Sequence, residues 1–306
     1  MASMRDIKRR RTSIENTQQI TKAMKLVSTV KLQRAKTRAE QSKYYFNSIY
    51  DTVTSILAKS EGINHPYLKA GENGKKVVIV ITSNKGLAGG YNANIIKMVT
   101  RNPEFTPDNT KIYVIGKKAK DAFKRAGYEI MADFSEAIEA PNIKDGNKIT
   151  DELLAGFAAG EISEIYLAYT FFKNTVSHIP TLLKLLPVDT LERYGEDKND
   201  QADDSKVNGR DASSEESGRK SAPMNFEPED EEALNLIIPK YMASLIYGAL
   251  IEAQASENGA RMQAMDNATN NATEMIDHLT LLYNRARQGS ITQELTEIIA
   301  GANAIS

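Results

Sequence analysis

Proline, the strongest helix breaker, is missing from both ends of this 306-residue chain, and glycine from the first of them. Neither occurs from Met1 to Glu61, and no proline occurs from Lys240 to Ser306. Each end is therefore expected to run as one very long helix, roughly 85 Å and 100 Å at about 1.5 Å per residue. Helices of that length need a partner, and the simplest partner for each is the other. This predicts an antiparallel coiled coil of the two ends, with the segment between them carried as a separate body.

Cysteine is absent too, which excludes a disulfide framework, a thiolate metal site and a thiol switch, and fits a reducing cytoplasm. No apolar run in the sequence approaches the roughly 20 residues that cross a bilayer, so neither a transmembrane segment nor a signal peptide is expected. An Arg-rich start also invites a transit-peptide reading, but Asp6 and Glu15 interrupt it. Charge of one sign is scarce only locally. The formal net charge is −1, yet Arg5, Lys8, Arg9, Arg10, Arg11, Lys22, Lys25, Lys31, Arg34, Lys36, Arg38 and Lys43 face only Asp6, Glu15 and Glu40 over the same stretch. An acidic partner surface is one reading of that imbalance.

Along the first helix, Ile7, Ile14, Ile20, Met24, Val27 and Val30, then Tyr45, Ile49, Val53 and Ile56, recur at helical spacing. The stripe is thin, because Thr17, Thr21 and Ser28 lie on or beside it. The closing helix offers Ile237, Tyr241 and Leu245, then small residues from Gly248 to Gly259, then Met262, Thr269, Ala272, Ile276, Leu279 and Tyr283. Setting Ser60 level with Pro239 places Met24 near Met275 and leaves the last turns as a lone helical tip. Between the helices, strands at 76–83, 111–116, 164–172 and 181–187 alternate with helices at 92–101, 117–126 and 150–159, the pattern of a largely parallel α/β sheet. From Tyr194 to Pro223 large apolar residues are almost absent, which reads as a flexible acidic loop or a regulatory insertion.

The turn Gly86-Leu87-Ala88-Gly89-Gly90 after the first strand suggests phosphate binding at a helix start, but it matches neither a dinucleotide fingerprint nor a P-loop. A tight strand-to-helix turn is the simpler account. His65, His178 and His278 are scattered without close second ligands, so no metal site, cofactor site or catalytic group is expected. The Lys8–Arg11 run is a solvated helix face or a nucleic-acid grip; a thin, threonine-rich seam shared with a second long helix argues for a shaft instead of a DNA-binding zipper. The segment from Tyr283 to Ile299 carries arginines and amides on a stretch that is still helical, which fits either an exposed polar face or a contact surface.

Four segments resemble the gamma subunit of F-type ATP synthases, the central rotor stalk: Asn16 to Val27, Ser83 to Asn94, Ser256 to Met265 and Arg285 to Ala302. The resemblance spans the chain except for about 195–222. It implies an antiparallel coiled coil of the N- and C-terminal helices with an inserted Rossmann-like α/β domain: a helix over 1–60, an α/β domain over 75–194, an acidic loop over 195–222 and a helix over 229–306. It implies no catalysis by the chain alone. The partners implied are alpha and beta subunits at 3:3:1, the epsilon subunit and a c-ring, with no nucleic acid. The location implied is the cytoplasmic face of the cell membrane, held there only indirectly. Arg287, Gln288, Thr292 and Glu294 match the positions that catch a beta-subunit loop, and Met24 and Arg261 match shaft positions beside them. Phe226 and Glu227 match a foot element facing the c-ring, with phenylalanine where the family has tyrosine. The missing cysteine pair excludes the thiol switch of chloroplast relatives.

Overall fold

The computed structural model describes residues 4–59, 65–69, 71, 74–188 and 230–305. Helix α1 spans Met4–Lys59, 56 residues, and the last helix, α5, spans Asp230–Ile305, 76 residues. They are therefore about 84 Å and 114 Å long. The two pack against each other along the shaft. The expected acidic loop and the foot residues Phe226 and Glu227 lie outside the described residues.

Between them lies a five-stranded sheet: β1 (Lys75–Ile81), β2 (Thr110–Ile115), β3 (Glu129–Asp133), β4 (Ile162–Phe172) and β5 (His178–Leu186). The strand order is β3-β2-β1-β4-β5, and only β5 is antiparallel to its neighbour. Helices α2 (Tyr91–Thr100), α3 (Lys117–Arg125) and α4 (Ile143–Ala158) supply the crossovers. Alternate side chains of a strand point to opposite faces, and β1 serves both. Val78 and Val80 pack under α2 and α3 with Ile95, Val99, Phe123 and Phe105. Val77, Ile79 and Ile81 pack with Ile149 and Leu153 of α4 and with Leu234, Ile238, Met242, Leu245, Ile246 and Leu250 of α5. The lower part of the shaft is thus one helical layer of the body.

Two expectations need correcting. Helix α4 begins at Ile143 instead of near Thr150, because Asn142 and Asp145 form a reciprocal capping box that starts it ahead of Gly146. Strand β3 was not expected: it is a five-residue edge strand with alternating exposure, too short and polar to stand out. The closing helix runs straight through Pro239. The helix begins at Asp230, and Pro239 sits inside it, held by the buried residues Leu234, Ile238, Tyr241 and Met242 around it. A proline there removes one backbone bond, which the surrounding packing outweighs.

The expectation about apolar runs is also revised. Helix α5 is, by length and composition, apolar enough to cross a membrane, but 67% of its most apolar window is buried inside the protein. That apolarity serves the sheet face.

Candidate partner-binding surface

Three zones follow one another along α5. In the lowest, side chains tie the helix to the body. Gln254 Nε2 donates to the carbonyls of Ile138 and Glu139, each at 3.1 Å. Ser256 Oγ donates to the Thr170 carbonyl at 3.1 Å, and the Tyr91 hydroxyl to the Ala253 carbonyl at 3.2 Å. Burial raises the pKa of Tyr91, which keeps it a donor. Arg261 Nε and Nη2 reach the Gly86 carbonyl at 3.4 and 3.3 Å, and Nη2 pairs with Glu257 at 2.6 Å. Burial raises the Glu257 pKa against the opposing pull of Arg261.

The glycine turn after β1 belongs to this zone. Leu87 and Gly89 have φ of 63° and 56°, and Ser83 closes the turn by hydrogen bonds with Asn92. The turn lies where the strand order reverses, at the carboxyl ends of β1 and β4, the usual ligand crevice of open α/β sheets. Here α5 packs against that place. Gly116 is required nearby, because a Cβ would lie 2.1 Å from the Thr82 carbonyl oxygen at a φ of 111°. The histidines stay apart: His65 accepts from the Tyr67 amide and meets Asn235, His178 packs on Phe172, and His278 is exposed. Among the described residues no cluster could hold a metal ion.

The middle zone is the coiled-coil seam. Gln18 Nε2 donates to Thr273 Oγ1 at 2.7 Å, the Thr21 and Thr269 hydroxyls share a bond of 2.8 Å, and Lys25 meets Asp266 at 2.6 Å. The Arg11 guanidinium stands 5.9 Å from the Tyr283 ring centroid. Met24, half-buried, is therefore near the level of Asp266 and not of Met275, which is 55% exposed. Thr21, Ser28, Leu32 and Ala35 form the buried side of α1, whereas Ile20, Val27 and Val30 are 61%, 57% and 53% exposed. The seam recurs at residues 7, 11, 14, 18, 21, 25, 28, 32 and 35, a heptad spacing carried largely by polar and small side chains.

The third zone is the tip, where α5 outruns α1 and is exposed from Ile291 to Asn303. Arg287, Gln288, Thr292 and Glu294 are all exposed there, and Thr292 Oγ1 donates only to the Gln288 carbonyl of its own helix. Beside them Ile291, Leu295, Ile298 and Ile299 are about half to two-thirds exposed. With Ile20, Leu26, Val27 and Val30 on α1, these are the surface residues that sequence reasoning missed. Their signal was spacing: 291, 295, 298 and 299 fall on one helix face. Arg261 differs from the other expected contact residues, since its side chain is only 11% exposed and is bonded within the chain.

A family profile described as ATP synthase matches residues 3–305. Over 306 residues, 100% of each chain, the protein is 59% identical to the ATP synthase gamma chain of Lachnoclostridium phytofermentans. It belongs to the ATP synthase gamma-chain family. The gamma chain of Alkaliphilus metalliredigens is 40% identical over 99% of this chain and 98% of its own. Among solved structures, a chain of the Euglena gracilis mitochondrial ATP synthase in rotational state 3 shares the fold. Its TM-score is 0.64 at 18% identity, covering 99% of this chain and 94% of that one. As a gamma chain, the protein is a subunit of ATP synthase and a peripheral part of that membrane complex.

Besides its apolar tip, this gamma chain presents a cleft of about 310 Å³ between α1 and the body. Lys31, Arg34, Arg38, Lys85 and Arg261 outnumber Glu139 and Glu257 around it. Such an edge attracts acidic side chains through contacts that form and break readily in water.

Proposed function

We propose that this gamma chain is the rotating, non-catalytic shaft of its ATP synthase, coupling ion flow through the membrane sector, of protons or sodium ions, to ATP synthesis or hydrolysis. Its coiled coil sits inside a ring of three alpha and three beta subunits, and its body rests with the epsilon subunit on the c-ring, at the cytoplasmic face of the membrane. One observation carries the reading: a stiff two-helix rod ends in a bare single helix, with an α/β body fixed to one side of its other end.

Such a part needs no active site. Switching a binding equilibrium from 1:99 to 99:1 takes about 5.5 kcal/mol of differential interaction, so an asymmetric rod touching three sites unequally can drive them in turn. Arg287, Gln288, Thr292 and Glu294 catch the beta-subunit loops from the tip, with Met24 on the flank below. The role of Arg261 in this reading is indirect, because its guanidinium holds the Gly86 turn. Phe226 and Glu227 serve as the foot on the c-ring. Exposed ion pairs of roughly 0.2 to 1 kcal/mol suit contacts that must be exchanged at each step.

The test is co-purification with alpha and beta subunits at 3:3:1, followed by an ATPase assay with a probe on the body. Rotation of the body during hydrolysis is the expected result. A chain that binds DNA with steep salt dependence and ignores alpha and beta subunits would overturn the reading.

A further inference from the structure

Apart from the His65–Asn235 contact near the start of α5, the side-chain hydrogen bonds described above between α5 and the body gather in one short stretch. From Ala253 to Arg261, four side chains join α5 to four separate parts of the body. Gln254 and Arg261 reach the 138–139 turn and the Gly86 turn, Ser256 reaches the end of β4, and Tyr91 of α2 reaches Ala253. On the remaining flank Gly259 lies against the His178 ring, so closely that a Cβ would come within 2.5 Å of Nε2.

At about 100° of rotation per residue, these groups are spread around the helix and not along one line. Gln254 and Arg261 fall on one flank, Ser256 and Gly259 on the other, and Ala255, Asn258 and Met262 face the α1 seam between them. The apolar layer below, from Leu234 to Leu250, holds α5 firmly against the sheet, and the hydrophobic effect behind it carries no directional preference of its own. Hydrogen bonds to fixed carbonyls on opposite flanks resist rotation of the helix about its own axis. For Gln254, Ser256 and Arg261 the acceptors are backbone groups at a strand end and in turns of the body, which cannot swing as side chains do.

We propose that residues 253–261 form the grip through which torque passes between the body and the shaft, with Gln254, Ser256 and Arg261 as positioning residues. This rests on the shaft reading above. It assigns Arg261 to the inside of the gamma chain: the guanidinium bridges Glu257 on its own helix to the Gly86 carbonyl of the body. It also accounts for Gly259, whose missing side chain lets His178 seat directly on the helix.

The test uses the assembled ATP synthase, immobilised through its beta subunits, with a gold rod on the body. The gamma chain has no cysteine of its own, so Lys124→Cys on the exposed side of α3 supplies the attachment. Gln254→Ala with Ser256→Ala removes ties from both flanks and leaves no charge unpaired. The expected result is a roughly twofold broadening of the rod's angular variance in the stalled complex. ATP synthesis under an ion gradient should also fall more than ATP hydrolysis, with the thermal midpoint of the complex unchanged. If the double variant fails to assemble, Gln254→Ala alone is measured the same way, with the same direction of change expected. A variant rod that fluctuates no more widely than the parent, in a complex whose parent body turns, overturns the grip alone. A parent body that does not turn during hydrolysis overturns the shaft reading and this proposal with it.

Discussion

From Leu234 to Ala255, helix α5 buries Leu234, Ile238, Tyr241, Met242, Leu245, Ile246, Ala249 and Leu250, most of them completely; from Met262 onward it buries only Met265, Ala272 and Leu279. One continuous helix thus passes from core element to half of a coiled coil and then to a bare tip. The difference shows that the two properties a shaft needs are supplied by different chemistry. Firm attachment comes from large apolar side chains against a sheet, and a slender rod comes from threonine, alanine and serine, which let two helices approach closely with little apolar width.

The sharpest way to break that contrast is to cut a cavity in each zone. Leu250→Ala, at a fully buried site, should destabilise the chain by about 2–5 kcal/mol, whereas Leu279→Ala on the slim seam should cost less than about 2 kcal/mol. Urea unfolding of both variants decides it, and equal losses would mean the seam is packed as firmly as the body. Next in size, Gly146→Ala should loosen α4 from α5, since its Cβ would lie 2.7 Å from the Ala243 carbonyl oxygen. A loss on the order of 1–3 kcal/mol is expected from that overpacking, read as a lowered thermal midpoint.

The zones should also differ in their response to pH. Burial raises the Glu257 pKa above its ordinary value, so the folded chain holds that proton longer than the unfolded one. Its contribution to stability therefore declines as pH rises from the ordinary glutamate value through the raised one. Glu164 in the body is the reverse: burial pushes it up, but Lys76 and Lys184 at 2.9 and 3.4 Å outweigh that and hold it low. Its contribution is present above the ordinary value and is lost as pH falls through the lowered one. Urea midpoints followed against pH should show Glu257→Gln flattening the decline above the ordinary range, and Glu164→Gln flattening the acid limb below it.

Smaller again is the seam. Thr21→Val with Thr269→Val should change stability by no more than about 1 kcal/mol in either direction, because a buried hydroxyl pair is replaced by an apolar pair of similar shape. A large loss would show that the polar layer holds the coil together. Smallest is the tip. Arg287→Ala with Gln288→Ala should leave unfolding within about 0.5 kcal/mol of the parent, while coupled turnover of the assembled enzyme falls. Unchanged synthesis and hydrolysis rates would remove these residues from the contact surface.

Much of this architecture was readable from the residues. The lack of proline and glycine announced α1, the lack of proline beyond Pro239 announced α5, and the β-branched run from Val77 to Ile81 announced a strand buried on both faces. The seam was misread because apolarity was taken as the guide to burial. Ile20, Val27 and Val30 face outward while Thr21 and Ser28 face the partner helix, since a surface kept for other subunits looks like a core stripe in one chain alone. A strict 3.5-residue count, indifferent to hydrophobicity, would have found it. The helix register failed because Ser60 was set level with Pro239, whereas the seam pairs Thr21 with Thr269 and Lys25 with Asp266. At the candidate site, the tip positions were legible only through resemblance, because exposed arginine and glutamine on a helix carry no local signature. The inward role of Arg261 was hidden for a different reason: its acceptor, the Gly86 carbonyl, lies far away in sequence and belongs to the backbone.

A seam that repeats every 3.5 residues commits two α-helices to a left-handed wind, as in any two-stranded rope. Ropes are not indifferent to the sense in which they are turned: one sense tightens the lay and the other opens it. ATP synthesis and hydrolysis turn a rotor in opposite senses, so torque tightens the lay of this threonine and serine seam in one working direction and opens it in the other.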